Sequence, residues 1–142
     1  MVRQAGDRTR EAYALTDLAA VHAHCGRLTE AAVLLRQAVV LHRRIGDRAS
    51  EAEALNDLGQ VLRAEGHVAE ARSRHGEALD LAREIGDRFE RARAYEGIAA
   101  TYEVSGDIDA ARPYREQAEL LFTDLAVPVP PTLQLPLTTP GR

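Results

Sequence analysis

The chain has 142 residues, 45% of them hydrophobic, which suffices for one core, but aromatics make up only 4% and tryptophan is absent, so that core must be built from leucine and alanine. The formal net charge of −4, with arginines interleaved among Asp and Glu, argues against direct nucleic-acid binding, which needs a concentrated basic face. No apolar run approaches the ~20 residues of a membrane helix, and the single cysteine, Cys25, cannot close an intrachain disulfide, which points to a reducing cytoplasm.

Residues 1–5, Met-Val-Arg-Gln-Ala, precede Gly6 as Leu-Ala-Arg-Glu-Ile precedes Gly86, so they are expected to be the tail of an upstream helix in a longer protein, or else a short lead. The tripeptide Gly-Asp-Arg then opens three segments, at Gly6, Gly46 and Gly86, at a spacing of 40 residues without insertion or deletion. Between these anchors the copies agree at Ala12/Ala52/Ala92, Ala31/Ala71/Ala111, Ala38/Ala78/Ala118 and Leu41/Leu81/Leu121. Retained register over three copies predicts stacked repeats, 6–45, 46–85 and 86–125.

Each copy carries two amphipathic stretches with apolar residues three and four apart, as in Leu15, Leu18, Ala19 and His22, then Ala31, Leu34, Leu35, Ala38, Leu41 and Ile45. Helices are predicted near 8–24, 29–45, 48–64, 69–85, 88–104 and 109–125. Gly26, Gly66 and Gly106 are placed to end the first helix of each copy, and Gly46 and Gly86 to end the second. The Asp of each tripeptide is expected to cap the next helix, with Asp87 and Glu90 at capping-box spacing, while Thr29 and Asp109 are expected to cap second helices. Pro113 falls near a helix start, where a missing N–H costs least. On the last helix, Arg112, Arg115 and Glu119 are expected to form a polar outer face. Residues 126–142, rich in Pro and Leu, read as an extended or disordered tail able to dock in a groove.

The segment Ala54-Leu55-Asn56-Asp57-Leu58-Gly59, followed by Gly66, Ala71 and Ala78, resembles the tetratricopeptide repeat (TPR) in its 40-residue form. The resemblance spans residues 6–125 and implies an all-α fold, a right-handed superhelix of three helical hairpins. The copies depart from the pattern at the late aromatic of the first helix (His22, Leu62, Tyr102) and at the large residue of the second (Leu35, His75, Arg115). The Gly-Asp-Arg style and Arg/Ala-rich composition, all 18 basic residues being arginine, are also similar to C-terminal arrays of actinobacterial transcriptional regulators.

The resemblance implies a protein or peptide partner held on the concave face of the first helices, by Tyr13, Thr16, Ala20 and Ala23, then Glu53, Asn56, Gln60 and Arg63, then Arg93, Glu96, Ala100 and Glu103. Asn56 is the leading candidate, because its amide can donate to and accept from a peptide backbone. A sensor or regulatory arm of a larger bacterial regulator is the expected role, with a free-standing adaptor or a small-peptide or metabolite sensor as alternatives. No enzyme is expected: there is no nucleophile with a positioned histidine, no glycine-rich phosphate loop with its lysine and no carboxylate pair over a pocket. No metal or other cofactor is expected either, since His22 and Cys25 can share a face but His24 points elsewhere and no second cluster completes a site. Ala14 and Val21 should face a preceding repeat; without one, that apolar end is expected to support a homodimer.

Overall fold

A computed structural model of the chain describes the backbone of residues 2–125 and the side chains of residues 6–125; the tail at 126–142 lies outside the described residues. These form six helices and no strand: α1 (Val2–His24), α2 (Leu28–Ile45), α3 (Arg48–Ala64), α4 (Val68–Ile85), α5 (Arg88–Val104) and α6 (Ile108–Asp124). The helices pair as antiparallel hairpins, α1 with α2, α3 with α4 and α5 with α6, and the hairpins stack through α2 on α3 and α4 on α5.

The helix ends follow from local chemistry. Gly46 and Gly86 adopt φ of 86° and 73°, a left-handed geometry that costs a residue with a Cβ roughly 1–2 kcal/mol. The next N–H groups, of Asp47 and Asp87, fold back onto the carbonyls of His42 and Ala82. The same two aspartates then cap the following helices through the N–H groups of Ser50 and Glu90. In α6 the cap is Asp107, which accepts from the N–H of Ala110, and not Asp109, which lies in the first turn. In α2 no side chain caps at all: Arg27 occupies the position, and Thr29 donates instead to Glu65. The capping box at Asp87 is half formed, because the Asp87 N–H is already taken and Glu90 turns to Asn56 and Arg93. Gly6 ends no helix, since α1 runs without a break from Val2. Pro113 sits inside α6, which continues unbroken to Asp124.

Packing explains the 40-residue period. The alanines at 12/52/92, 31/71/111 and 38/78/118 are all 1% exposed or less. Fully enclosed there, any larger side chain would push the neighbouring helices apart. Leu55, Leu58, Leu62 and Ile98 fill the spaces between them. Within each layer, contacts tie successive hairpins together. Arg36 of α2 pairs with Glu70 of α4 at 3.0 Å, and Asp57 of α3 pairs with Arg93 of α5 at 2.7 Å. The first helices thus make one layer and the second helices the other.

At the centre the layers are pinned by one ring. The imidazole of His75, on α4, is fully buried between Gly59 of α3 and Gly97 of α5, and a Cβ on either glycine would overlap it. Gly76, on the same helix as His75, faces open space. Gly59→Ala and Gly97→Ala should therefore each lower stability by about 1–3 kcal/mol in urea unfolding. Gly76→Ala should raise it by up to ~1 kcal/mol. Equal effects at all three positions would show that the ring is not tightly held.

Candidate binding groove

Three matched positions set the character of the inner layer. Residue 16, 56 or 96 of a first helix faces residue 35, 75 or 115 of the second helix in the same hairpin, and the chemistry changes with each copy. In the first copy both Thr16 and Leu35 line an open channel, the Thr16 hydroxyl donating to the carbonyl of Ala12. In the second, Asn56 and His75 are both fully buried, with Asn56 Oδ1 and His75 Nδ1 2.8 Å apart. In the third, buried Glu96 is ion-paired with Arg115, which also holds Glu103.

The Asn56 amide is fully committed. Its Nδ2 donates to the carbonyl of Glu90 at 3.0 Å and to Glu90 Oε1 at 2.9 Å, which leaves Oδ1 to accept from His75 Nδ1. Asn56 therefore does not stand on the groove wall as a free clamp for a peptide backbone; it ties α3 to α5. Burial, then the charges of Arg93 and Arg63, push the His75 pKa down to about 3, so the ring is neutral with its proton on Nδ1.

Further members of the expected set are also engaged internally. Arg93 holds Asp57 and, at 3.0 Å, Glu90; burial opposes its charge, but Asp57, Glu90 and Glu53 outweigh that and raise its pKa. Burial pushes Glu96 up to about 7 even with Arg115 beside it. Ala100 is buried. Arg115, expected on the outer face of the last helix, points inward to Glu96 and Glu103, whereas Arg112 and Glu119 are exposed. Tyr13 is 45% exposed but anchored, its hydroxyl 2.8 Å from Asp47 Oδ2 and its ring edge-on to His42.

The wall opens between α1 and α3. These two helices touch far less than α3 and α5 do, and between them runs a channel of about 490 Å³ lined by Thr16, Ala19, Ala20, Ala23, His24, Leu35, Asp57, Gln60 and Val61. Thr16, Ala20, Ala23 and Gln60 are thus brought together as expected, while Arg63, Arg93, Glu96 and Ala100 lie outside it. The floor is small and apolar. One helical turn before Asp57 on α3, Glu53 is exposed and outside the channel lining, and its pKa is raised by partial burial and by Asp57, Asp87 and Asp47, against one opposing cation, Arg93. Asp57, His24 and Leu35 were not among the expected residues. Asp57 follows Asn56 in sequence, and a helical step of one residue turns a side chain by about 100°, which the repeat pattern alone does not resolve.

Among the described residues no group of three or more His, Cys, Asp or Glu is placed to hold a metal, and no helix is long and apolar enough to cross a membrane. A family model described as Tetratricopeptide repeat matches residues 10–84. Among solved structures, the TPR domain of Arabidopsis FLU is similar with a TM-score of 0.78 at 20% identity, over 82% of this chain and 98% of that one. BtubC (BKLC) from P. vanneervenii gives 0.73 at 19% identity over 84% of this chain; the match spans about half, 49%, of BtubC. At such identities the likeness is one of fold. No curated protein matches the sequence.

The buried pairs make stability depend on pH in two opposed ways. The folded pKa of His75 lies below its ordinary 6.5, so its contribution is complete above pH 6.5 and is lost as pH falls towards 3, a change of roughly 3–5 kcal/mol. The folded pKa of Glu96 lies above 4.5, so its contribution is complete below pH 4.5 and is lost as pH rises through about 7. Urea midpoints should therefore peak between these limits. Asn56→Thr with His75→Leu, which copies the Thr16 and Leu35 pair, should flatten the acid limb. The two changes should also couple by more than about 1 kcal/mol in a double-mutant cycle, and an unchanged acid limb in the double variant would remove His75 as its source.

Proposed function

The chain belongs to the tetratricopeptide-repeat family, and on that premise we propose that it is a protein-binding module that holds an extended peptide segment in the channel between α1 and α3. The observation that carries this reading is the contrast along the inner layer. Asn56, Arg93, Glu96 and Arg115 are engaged with other side chains of the inner layer, whereas the channel lined by Thr16 and Val61 is open and apolar-floored.

The partner segment has a small or branched aliphatic side chain against Ala19, Ala20, Ala23 and Val61, and a basic side chain beside the exposed Glu53. Burying the aliphatic group supplies the affinity. The basic group fixes direction and makes association sensitive to salt. No step of this requires catalysis or a cofactor.

The finer role we propose is that of a sensor arm in a bacterial, cytoplasmic transcriptional regulator, in which occupancy of the channel biases the rest of the protein. Its support is the repeat style and the exclusive use of arginine. A free-standing adaptor uses the same channel without an output of its own.

Ala20 is exposed, so Ala20→Arg can fill the channel without disturbing the core. Binding of the partner, captured with the intact chain and then measured by calorimetry, should fall at least tenfold in this variant while circular dichroism stays unchanged. Glu53→Gln should weaken binding less, and mainly at low salt. Full affinity in Ala20→Arg would place the ligand elsewhere. In cells, a regulator arm predicts that Ala20→Arg alters transcription, whereas an adaptor predicts loss of co-purification alone.

A further inference from the structure

One cation of the inner layer is left over. At the matched positions 23, 63 and 103 of the first helices, Ala23 lines the channel and Glu103 accepts from Arg115. Arg63 has neither role. It stands three residues beyond Gln60 of the channel wall, is half-buried, and makes no ion pair or hydrogen bond among the described residues; its Nε is enclosed without an acceptor. A buried N–H that donates to nothing is unfavourable, and more so when it carries charge.

The acids that Arg63 faces are already engaged. Four charged groups act on one another here: Arg63 on α3, Glu96 and Glu103 on α5, and Arg115 on α6. Arg115 takes both carboxylates, ion-pairing with Glu96 and donating from Nε to Glu103 at 3.1 Å. From α4, His75 faces Arg63 as a neutral ring and adds no charge. Burial pushes the Arg63 pKa down, and Arg115 adds to this, against the pull of Glu96 and Glu103. Burial also lifts Glu96 to about 7, so that at neutral pH its carboxyl is protonated for much of the time.

Charge balance defines the ligand. With Glu96 ionised the four groups sum to zero; with Glu96 protonated, Glu103 balances Arg115 and Arg63 carries a positive charge that nothing offsets. We propose that Arg63 is a subsite for a carboxylate on the inner face between α3 and α5, and that Glu96 takes up a proton as this carboxylate binds. One negative charge restores neutrality, whereas a phosphate dianion overshoots it. The planar guanidinium can donate two parallel hydrogen bonds to a carboxylate. The carboxylate belongs to an acidic side chain of a protein segment. Carboxylate and proton assist each other: affinity is full below pH 7 and falls as pH rises above it, by at most about tenfold for each pH unit, because the ligand then enters beside an ionised Glu96.

The intact chain is titrated at constant ionic strength with the blocked pentapeptide Gly-Gly-Glu-Gly-Gly, with its glutamine twin and with acetate, while NMR follows the Arg63 Cζ and Glu96 Cδ resonances at pH 6 and pH 8. The glutamate peptide should shift Arg63 Cζ saturably, at least about fivefold more tightly at pH 6, and should move the Glu96 titration to higher pH; the glutamine twin should do neither. Acetate acting at the same concentration as the peptide would assign the subsite to free carboxylates instead of a protein side chain. Arg63→Gln should abolish the effect on Glu96 with helicity unchanged, and Glu96→Gln should keep the affinity of pH 6 at both pH values. Equal responses to the two peptides, no response, or a pH dependence that persists in Glu96→Gln would overturn the proposal. A glycine peptide offers the channel no aliphatic side chain, so failure here leaves the channel reading standing, and failure of the Ala20→Arg test leaves this one.

Discussion

Close approach of helices at small residues is the constraint on which the rest of this molecule depends. Nine alanines, three in each copy, sit at the contact points with 1% exposure or less, and two glycines on first helices make room for His75. Fixing the helix separation at these points leaves the leucines a narrow space that they fill completely. It also fixes the register of each hairpin on the next, so that Asn56 meets Glu90 and Arg93 meets Asp57 at hydrogen-bond distance.

Within that frame a single slot has been rebuilt in each copy. Thr16 and Leu35 line the channel, Asn56 and His75 form a buried neutral pair, and Glu96 and Arg115 form a buried ion pair. Both members change together, because a buried polar group without a partner costs about 1–3 kcal/mol and a buried lone charge costs more. The structural consequence is a contrast along the inner layer. Where the slot is polar the first helices are sewn together, and where it holds Leu35 the wall stays open and apolar. The channel is thus the part of the solenoid that its own side chains leave unfilled.

The same reasoning applies to the last hairpin. A repeat array has no closed core, so each hairpin presents one face to its predecessor and one to its successor. At the C-terminal end, Arg112 and Glu119 make the successor face polar, and Arg115 is withdrawn to serve the slot.

The six helices, their 40-residue period and most of the glycines that end them were legible in the sequence alone, because helix boundaries depend on local chemistry that recurs at Gly46 with Asp47 and at Gly86 with Asp87. The alanine positions were legible for the same reason, and helical spacing puts Thr16, Ala20 and Ala23 on one face of α1, where with Gln60 of α3 they line the channel. Tertiary structure decided the rest. Asn56 has the right residue type for holding a peptide, yet Glu90 and His75, 34 and 19 residues away, take all of its hydrogen bonds, and no local pattern reports a partner on another helix. Gly6 carries the same tripeptide as Gly46 and Gly86 but lies within a helix, since a stop signal acts only where a packed hairpin turns the chain back. Side-chain type follows from sequence; whether a polar group is free for a ligand depends on which neighbours folding has brought within its reach.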